Sequence, residues 1–117
     1  SQATTFVQRA GVAALQGPQD EVTAMVAEFK ARRDTLVSGL RDLGIPCSIP
    51  GGAFYVFPDV SHLGGGDAFT DSLLKEGLIA ATPGSAFGPG GKEHIRISYA
   101  AGRPQLEEAL RRMKDIL

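Results

Sequence analysis

Arg96 is the residue of this chain best placed to do chemistry. It lies in His94-Ile95-Arg96-Ile97-Ser98-Tyr99, where the residues alternate. Ile95, Ile97 and Tyr99 share one face of an expected strand, and His94, Arg96 and Ser98 share the other. A guanidinium fixed in such a strand is a rigid two-pronged donor for a carboxylate or a phosphate. On pattern alone it is also an ordinary strand arginine on a wet face. Other candidate chemistries find little support. His62 and His94 have no carboxylate or cysteine at metal-ligand spacing, which argues against a zinc site. Gly84-Ser85-Ala86-Phe87-Gly88 has the letters of a nucleophile elbow without the strand-to-helix context. The glycines of this stretch match neither G-x-G-x-x-G after a strand nor G-x-x-x-x-G-K-[ST], so they read as turn formers.

The elements that must position Arg96 follow from periodicity. Residues 1–15 form a short helix that Thr4 or Thr5 can cap, with Phe6, Ala10, Ala13 and Ala14 on one face and Gly17-Pro18 as its end. Gly11 within it marks a close helix approach or is simply tolerated. The spacing predicts a long helix from Pro18 to Leu43, with Pro18 at its first position and Gly44 and Pro46 as its stop. Val22, Met25, Val26, Phe29, Leu36, Val37, Leu40 and Leu43 recur on it at threes and fours. About 26 residues span roughly 39 Å, more than so small a core requires, so this helix is expected to bridge to a neighbouring domain. Cys47 to Asp59 reads as a strand broken at Pro50-Gly51-Gly52 and apolar on both faces, hence central or interfacial, with Phe54 and Phe57 as core residues. Asp67 is expected to cap a helix bearing Phe69, Leu73 and Leu74 and ending at Gly77; Leu78 to Thr82 is the next strand. A last amphipathic helix carries Leu106, Leu110, Met113 and Leu117.

These elements predict a two-layer α/β (α+β) fold: a small, largely antiparallel or mixed sheet with helices on one face, preceded by the long interdomain helix. At 117 residues the chain is one domain, divided into an interface helix segment (1–17), a bridging helix (18–44) and a sheet-and-helix core (45–117). A net charge of −1 with interspersed signs gives no basic footprint for nucleic acid and no basic amphipathic face for a membrane. The single Cys47 excludes an internal disulfide and fits a reducing, cytoplasmic setting. The chain opens on Ser-Gln-Ala-Thr-Thr without an initiating methionine, and is expected to be a piece of a longer protein.

T-P-G-S-A-F-G (82–88) followed by H-I-R-I-S-Y-A (94–100) resembles the C-terminal signature of the class I/II aminotransferases, the aspartate aminotransferase-like fold-type-I pyridoxal-phosphate enzymes. Pro50-Gly51-Gly52-Ala53-Phe54-Tyr55 is similar to a second motif of that family, and the likeness covers essentially the whole chain. The resemblance implies the small C-terminal domain of such an enzyme, with Arg96 binding the substrate's α-carboxylate and Gly52, Phe54 and Tyr55 near the substrate. Family members often have Thr-Ser where this chain has Ala101-Gly102, which weakens the expected helix cap. It also implies that Ser1, Gln2 and Thr4-Thr5 approach the cofactor phosphate of a partner subunit; capping is the competing role for these hydroxyls. The lysine that holds pyridoxal 5'-phosphate as a Schiff base has no counterpart here, since Lys30, Lys75, Lys92 and Lys114 lack the family's context for it. It is expected upstream, in the large N-terminal domain, so the chain alone should be inactive. The implied reaction transfers an amino group between an amino acid and a 2-oxo acid within a homodimer. A related pyridoxal-phosphate lyase or synthase, and a non-catalytic carboxylate-binding or dimerisation module, are the alternatives.

Overall fold

In the computed structural model, which describes residues 2–117, the chain runs α1 (Thr5–Gln16), α2 (Asp20–Asp42), β1 (Tyr55–Val56), α3 (Gly66–Lys75), β2 (Thr82–Pro83), β3 (Ile95–Ser98) and α4 (Arg103–Asp115). Short 3-10 turns occupy Ser61–Leu63, Gly84–Phe87 and Pro89–Gly91. The three strands form one sheet in the order β1-β3-β2, antiparallel throughout. The register pairs Tyr55 with Ser98, Val56 with Ile97, Thr82 with Arg96 and Pro83 with Ile95. One face of the sheet is apolar and carries the helices. Ile95, Ile97, Val56 and Tyr99 are buried with Leu36, Val37 and Leu40 of α2, Phe69 and Leu73 of α3, and Leu106 and Met113 of α4.

The long helix serves two surroundings. Its second half buries Leu36, Val37 and Leu40, whereas Val22, Met25 and Val26 in its first half are about half exposed. With α1, which buries none of its residues, that half projects from the core. The radius of gyration is 17.7 Å, against about 13 Å for a compact chain of this length. The helix starts later than its sequence suggests. Pro18 lies outside it, because the Gln19 side-chain amide donates back to the carbonyls of Ala14 and Gly17, both at 2.9 Å, and so holds the α1–α2 turn out of helical geometry. The far end is as expected. Gly44 takes φ +79, its N–H donates to Arg41 O at 2.9 Å, and the N–H of buried Ile45 donates to Leu40 O at 2.9 Å. This is the double-bonded glycine stop of a Schellman motif.

Three arginines of α2 reach across to main-chain carbonyls of the sheet side. Arg32 donates to Ala100 O at 2.9 Å, Arg33 to Pro50 O at 3.0 Å, and Arg41 twice to Cys47 O at 3.0 and 2.7 Å. Arg32 also pairs with Glu28, which accepts two bonds from Arg103 of α4. The Arg103 guanidinium, seconded by that of Arg32, holds the Glu28 carboxyl down at about 2.

Five further expectations need correction. The 47–59 segment is not a central strand: only Tyr55–Val56 pair regularly, at the sheet edge, with a further bridge between Asp59 and His94. The central strand is β3, which has partners on both sides. Phe54 and Phe57 are accordingly 40% and 41% exposed rather than core. The strand expected at 78–82 is displaced to Thr82–Pro83, since Leu78 adopts φ +53 and leaves the extended region. Asp67 does not cap α3. Gly65 stands in the cap position, and Asp67, inside the first turn, accepts the Ser85 hydroxyl at 2.7 Å instead. At the start of α4 the Gly102 N–H donates to Gln105 Oε1 at 2.8 Å, so a glutamine supplies the capping bond that Ala101-Gly102 was expected to weaken. Leu117 stands 51% exposed, off the buried side of that helix.

Candidate functional site

The face of the sheet opposite the helices carries the side chains of chemical interest. The two-residue period of β3 sends Ile95 and Ile97 inward and leaves Arg96 half-buried on the outer face. Tyr55, opposite Ser98, lies on the same face as a diagonal neighbour of Arg96. The Arg96 guanidinium carbon stands 4.4 Å from the centroid of the Tyr55 ring and 4.7 Å from that of Phe87. Two aromatic rings thus lie within cation–π distance of the guanidinium, a placement that suits this weakly hydrated, delocalised cation. Its edge is poorly satisfied. One long hydrogen bond, 3.4 Å, reaches Thr82 Oγ1, the cross-strand partner.

Among the described residues no carboxylate pairs with Arg96. Among the described residues the ion pairs of arginine belong to Arg32, Arg33, Arg103, Arg111 and Arg112, each with Glu28, Asp34, Glu108 or Asp115. A half-buried guanidinium beside two aromatic rings, with no carboxylate at its edge among the described residues, has free N–H donors in the geometry that can pair with a planar anion.

The loop that brings Phe87 over Arg96 is held by close backbone contact. A Cβ at Gly91 would meet Gly84 O at 2.1 Å, and one at Gly84 would meet Gly91 O at 2.2 Å and His94 O at 2.6 Å. Only glycine fits at either position. The Gly84 N–H donates to His94 O at 2.8 Å, and the Ser85–Asp67 bond ties the loop to α3. Phe57 meets Phe87 edge-on at 6.2 Å between centroids and stacks on His94 at 5.0 Å with 5° between planes. The His94 Nδ1 is buried without a hydrogen-bond partner. Asp59, bridged to His94 through the backbone, is held below the usual carboxylate range, first by the Ser61 N–H and then by the Ser61 hydroxyl.

The other expected site residues are distributed differently. Phe54 packs against Tyr55 with ring centroids 4.4 Å apart and planes tilted by 42°, and so adjoins the cluster. Gly52 does not join it: the Pro50–Ala53 turn lines a groove of about 180 Å³ with Val26, Phe29, Lys30, Arg33 and Tyr99. Ser1 lies outside the described residues. Gln2 and Thr5 are exposed at the start of α1, where Thr4 makes no side-chain cap bond, so the hydroxyls and the first-turn N–H groups stand open. Among the described residues, no hydrogen bond joins α1 to the Arg96 cluster. Phe87 is the contact that sequence reading missed. The motif TPGSAFG marked its loop, but nothing in the spacing says that the loop folds back over β3.

A family model described as aminotransferase class I and II matches residues 1–113. The chain belongs to the class I and II aminotransferases. A probable aspartate aminotransferase of Methanocaldococcus jannaschii is 46% identical to it over 114 residues, which cover 97% of this chain and 30% of that protein. The aromatic-amino-acid aminotransferase 2 of Thermococcus litoralis is 38% identical over 116 residues, 97% of this chain and 30% of the relative. Among solved structures, an aromatic aminotransferase from Pyrococcus horikoshii superposes with a TM-score of 0.92 at 40% identity, over 97% of this chain and 31% of that one. This aminotransferase segment therefore spans about 30% of the length of its relatives.

The aminotransferases of this family use pyridoxal phosphate, and the residues present fit that group in part. The open hydroxyls and N–H groups at the start of α1 suit a phosphate. The lysines do not suit its aldehyde: Lys30 and Lys75 are paired with Asp34 and Asp71 at 2.9 and 2.7 Å, and Lys92 and Lys114 are exposed, with none of the four in the Arg96 cluster. Burial pushes the Cys47 thiol up, and it donates to Ser48 O, so it offers no ready thiolate. No helix among the described residues is long and apolar enough to cross a membrane.

Proposed function

We propose that this chain is the C-terminal small domain of a pyridoxal-phosphate-dependent aminotransferase and that Arg96 holds the α-carboxylate of its substrates. The observation that carries the reading is the half-buried Arg96 guanidinium, in cation–π contact with Tyr55 and Phe87 and without a carboxylate partner among the described residues. An amino acid and a 2-oxo acid present the same planar anion, so one arginine receives the donor and the acceptor in turn. Two parallel N–H···O bonds fix both position and plane, which orients the bond to be broken at the substrate's Cα. Pyridoxal phosphate, when bound, supplies the electron sink for that step, and Gln2 and Thr5 would approach the phosphate of the cofactor bound in the partner subunit. Tyr55 works through Arg96, whose guanidinium its ring contacts. The lysine and the larger domain belong to the remainder of the enzyme. The exposed apolar side chains of α1, Phe6, Val7, Val12 and Leu15, suit burial in a homodimer. The buried unpaired Cys47 suits a reducing cytoplasm.

The test is Arg96→Leu in the full-length enzyme, with each half-reaction followed separately for one donor and one acceptor. Losing one partner of a buried charge pair costs roughly 2–5 kcal/mol, which corresponds to a fall of about 30- to 4000-fold in kcat/KM for both substrates. Arg96→Lys keeps the charge without the fork and falls between. Cofactor content and absorbance stay at the wild-type level. A wild-type rate with either substrate in the Leu variant would falsify the carboxylate role.

A further inference from the structure

We infer that Phe87 is a positioning residue of the substrate site: its ring, with that of Tyr55, holds the Arg96 guanidinium by cation–π contact and so restricts the orientations in which the arginine presents its in-plane edge. This rests on the reading of Arg96 as the carboxylate anchor and adds to it a residue and a mechanism. Arg96 is an unbranched chain on an outer sheet face, and its one hydrogen bond is the 3.4 Å contact with Thr82. So weak a bond at the edge does not fix the plane of the fork. The rings restrain it, at 4.4 and 4.7 Å, because each attracts the cation through its negative face. The edge is left to an incoming anion.

The structure holds Phe87 in place for this task. Its ring is 53% exposed and belongs to no buried core, so packing does not account for it. The Gly84–Gly91 contact, the Ser85–Asp67 bond and the edge-on Phe57 ring all restrain the loop that carries it. An arginine released on one side spends time in orientations that cannot receive a carboxylate, and apparent affinity falls by the fraction of time so spent.

The experiment uses the full-length enzyme with mono-, di- and trifluorinated phenylalanine at position 87, beside Phe87→Leu, Phe87→Tyr and Arg96→Leu. Fluorination draws charge from the ring face at nearly constant shape, so folding is not at issue. The measured quantities are the apparent dissociation constant and the limiting rate of the single-turnover half-reaction, for one donor and one acceptor. The dissociation constant is expected to rise with each added fluorine, equally for both substrates, and to reach about 5- to 30-fold in Phe87→Leu, the range of one cation–π contact. The limiting rate changes less, and Phe87→Tyr restores wild-type binding. A flat fluorine series in an enzyme that Arg96→Leu cripples overturns the role of Phe87 and leaves the carboxylate anchor standing. A harmless Arg96→Leu overturns both.

Discussion

The contact between Gly84 and Gly91 offers a sharp test of how the site loop is built. In Gly91→Ala the new methyl would lie 2.1 Å from Gly84 O, 2.7 Å from its carbonyl carbon and 3.2 Å from its Cα. All three are backbone atoms, so no side chain can turn aside, and the two segments must part by about 1 Å, an overpacking that typically costs about 1–3 kcal/mol. At about 4 °C per kcal/mol for a chain of this size, thermal unfolding should come about 4–12 °C earlier. The neighbouring Gly90 is the control. A methyl there meets nothing within 4 Å, and Gly90→Ala should match the wild type or rise slightly, by up to about 1 kcal/mol through loss of freedom in the unfolded chain. The two variants are chemically identical changes one residue apart, so composition and unfolded-state effects nearly cancel between them. Circular dichroism melts of the three proteins, run side by side, decide the matter. Equal midpoints for the two alanine variants would show that the loop gives way freely, and that the close approach does not hold Phe87.

Three further outcomes are expected. The chain alone, mixed with pyridoxal phosphate and amino acids, develops no absorbance band of lysine-bound cofactor and forms no oxo acid; stoichiometric labelling of one lysine with turnover would contradict this. Because Phe6 and Leu15 are 73% and 86% exposed, the chain associates at high concentration, and Phe6→Ser with Leu15→Ser shifts light scattering toward the monomer; a wild-type chain that is strictly monomeric and binds no apolar dye would refute it. Glu28, held at about 2 against an ordinary 4.5, has a folded-state value below its unfolded one, so its contribution is present above about 4.5 and is lost as pH falls toward 2. Glu28→Gln should therefore lower stability at neutral pH by an amount that shrinks on acidification and in high salt, since the group is exposed; urea midpoints whose difference is the same at every pH would be inconsistent with this.

The parts of the molecule that were legible in the sequence are those in which one element buries one face. Ile95, Ile97 and Tyr99 alternate with Arg96 because β3 is the central strand, buried on one side and open on the other, so the pattern carried both the strand and the direction of its arginine. The stop of α2 at Gly44 was equally plain, because a glycine at positive φ has few other uses beside an apolar helix end. The misreadings share a cause. Phe54 and Phe57 look like core residues, but hydrophobicity alone cannot distinguish a core from an aromatic cluster left half-exposed at a sheet edge. Leu78 took its residue out of the extended region through a backbone angle that no side-chain pattern encodes. Asp67 reads as a cap by position, whereas its real partner, Ser85, lies 18 residues away. Phe87 escaped for the same reason: its place over Arg96 depends on a loop closure between two glycines, and a pattern read along the chain has no term for the distance between its turns.

The arginine clamps of α2 are addressed to Ala100 O, Pro50 O and Cys47 O. A carbonyl oxygen belongs to whichever amino acid occupies the position, so the three contacts are blind to side-chain identity. Ala100 and Pro50 can be exchanged for other residues that keep the local backbone path, and the helix still holds the ends of the sheet. Divergence is then free to rewrite the loops on either side of Arg96 without loosening the frame around it. An engineer randomising those loops should hold Arg32, Arg33 and Arg41 fixed and leave their acceptors open to change.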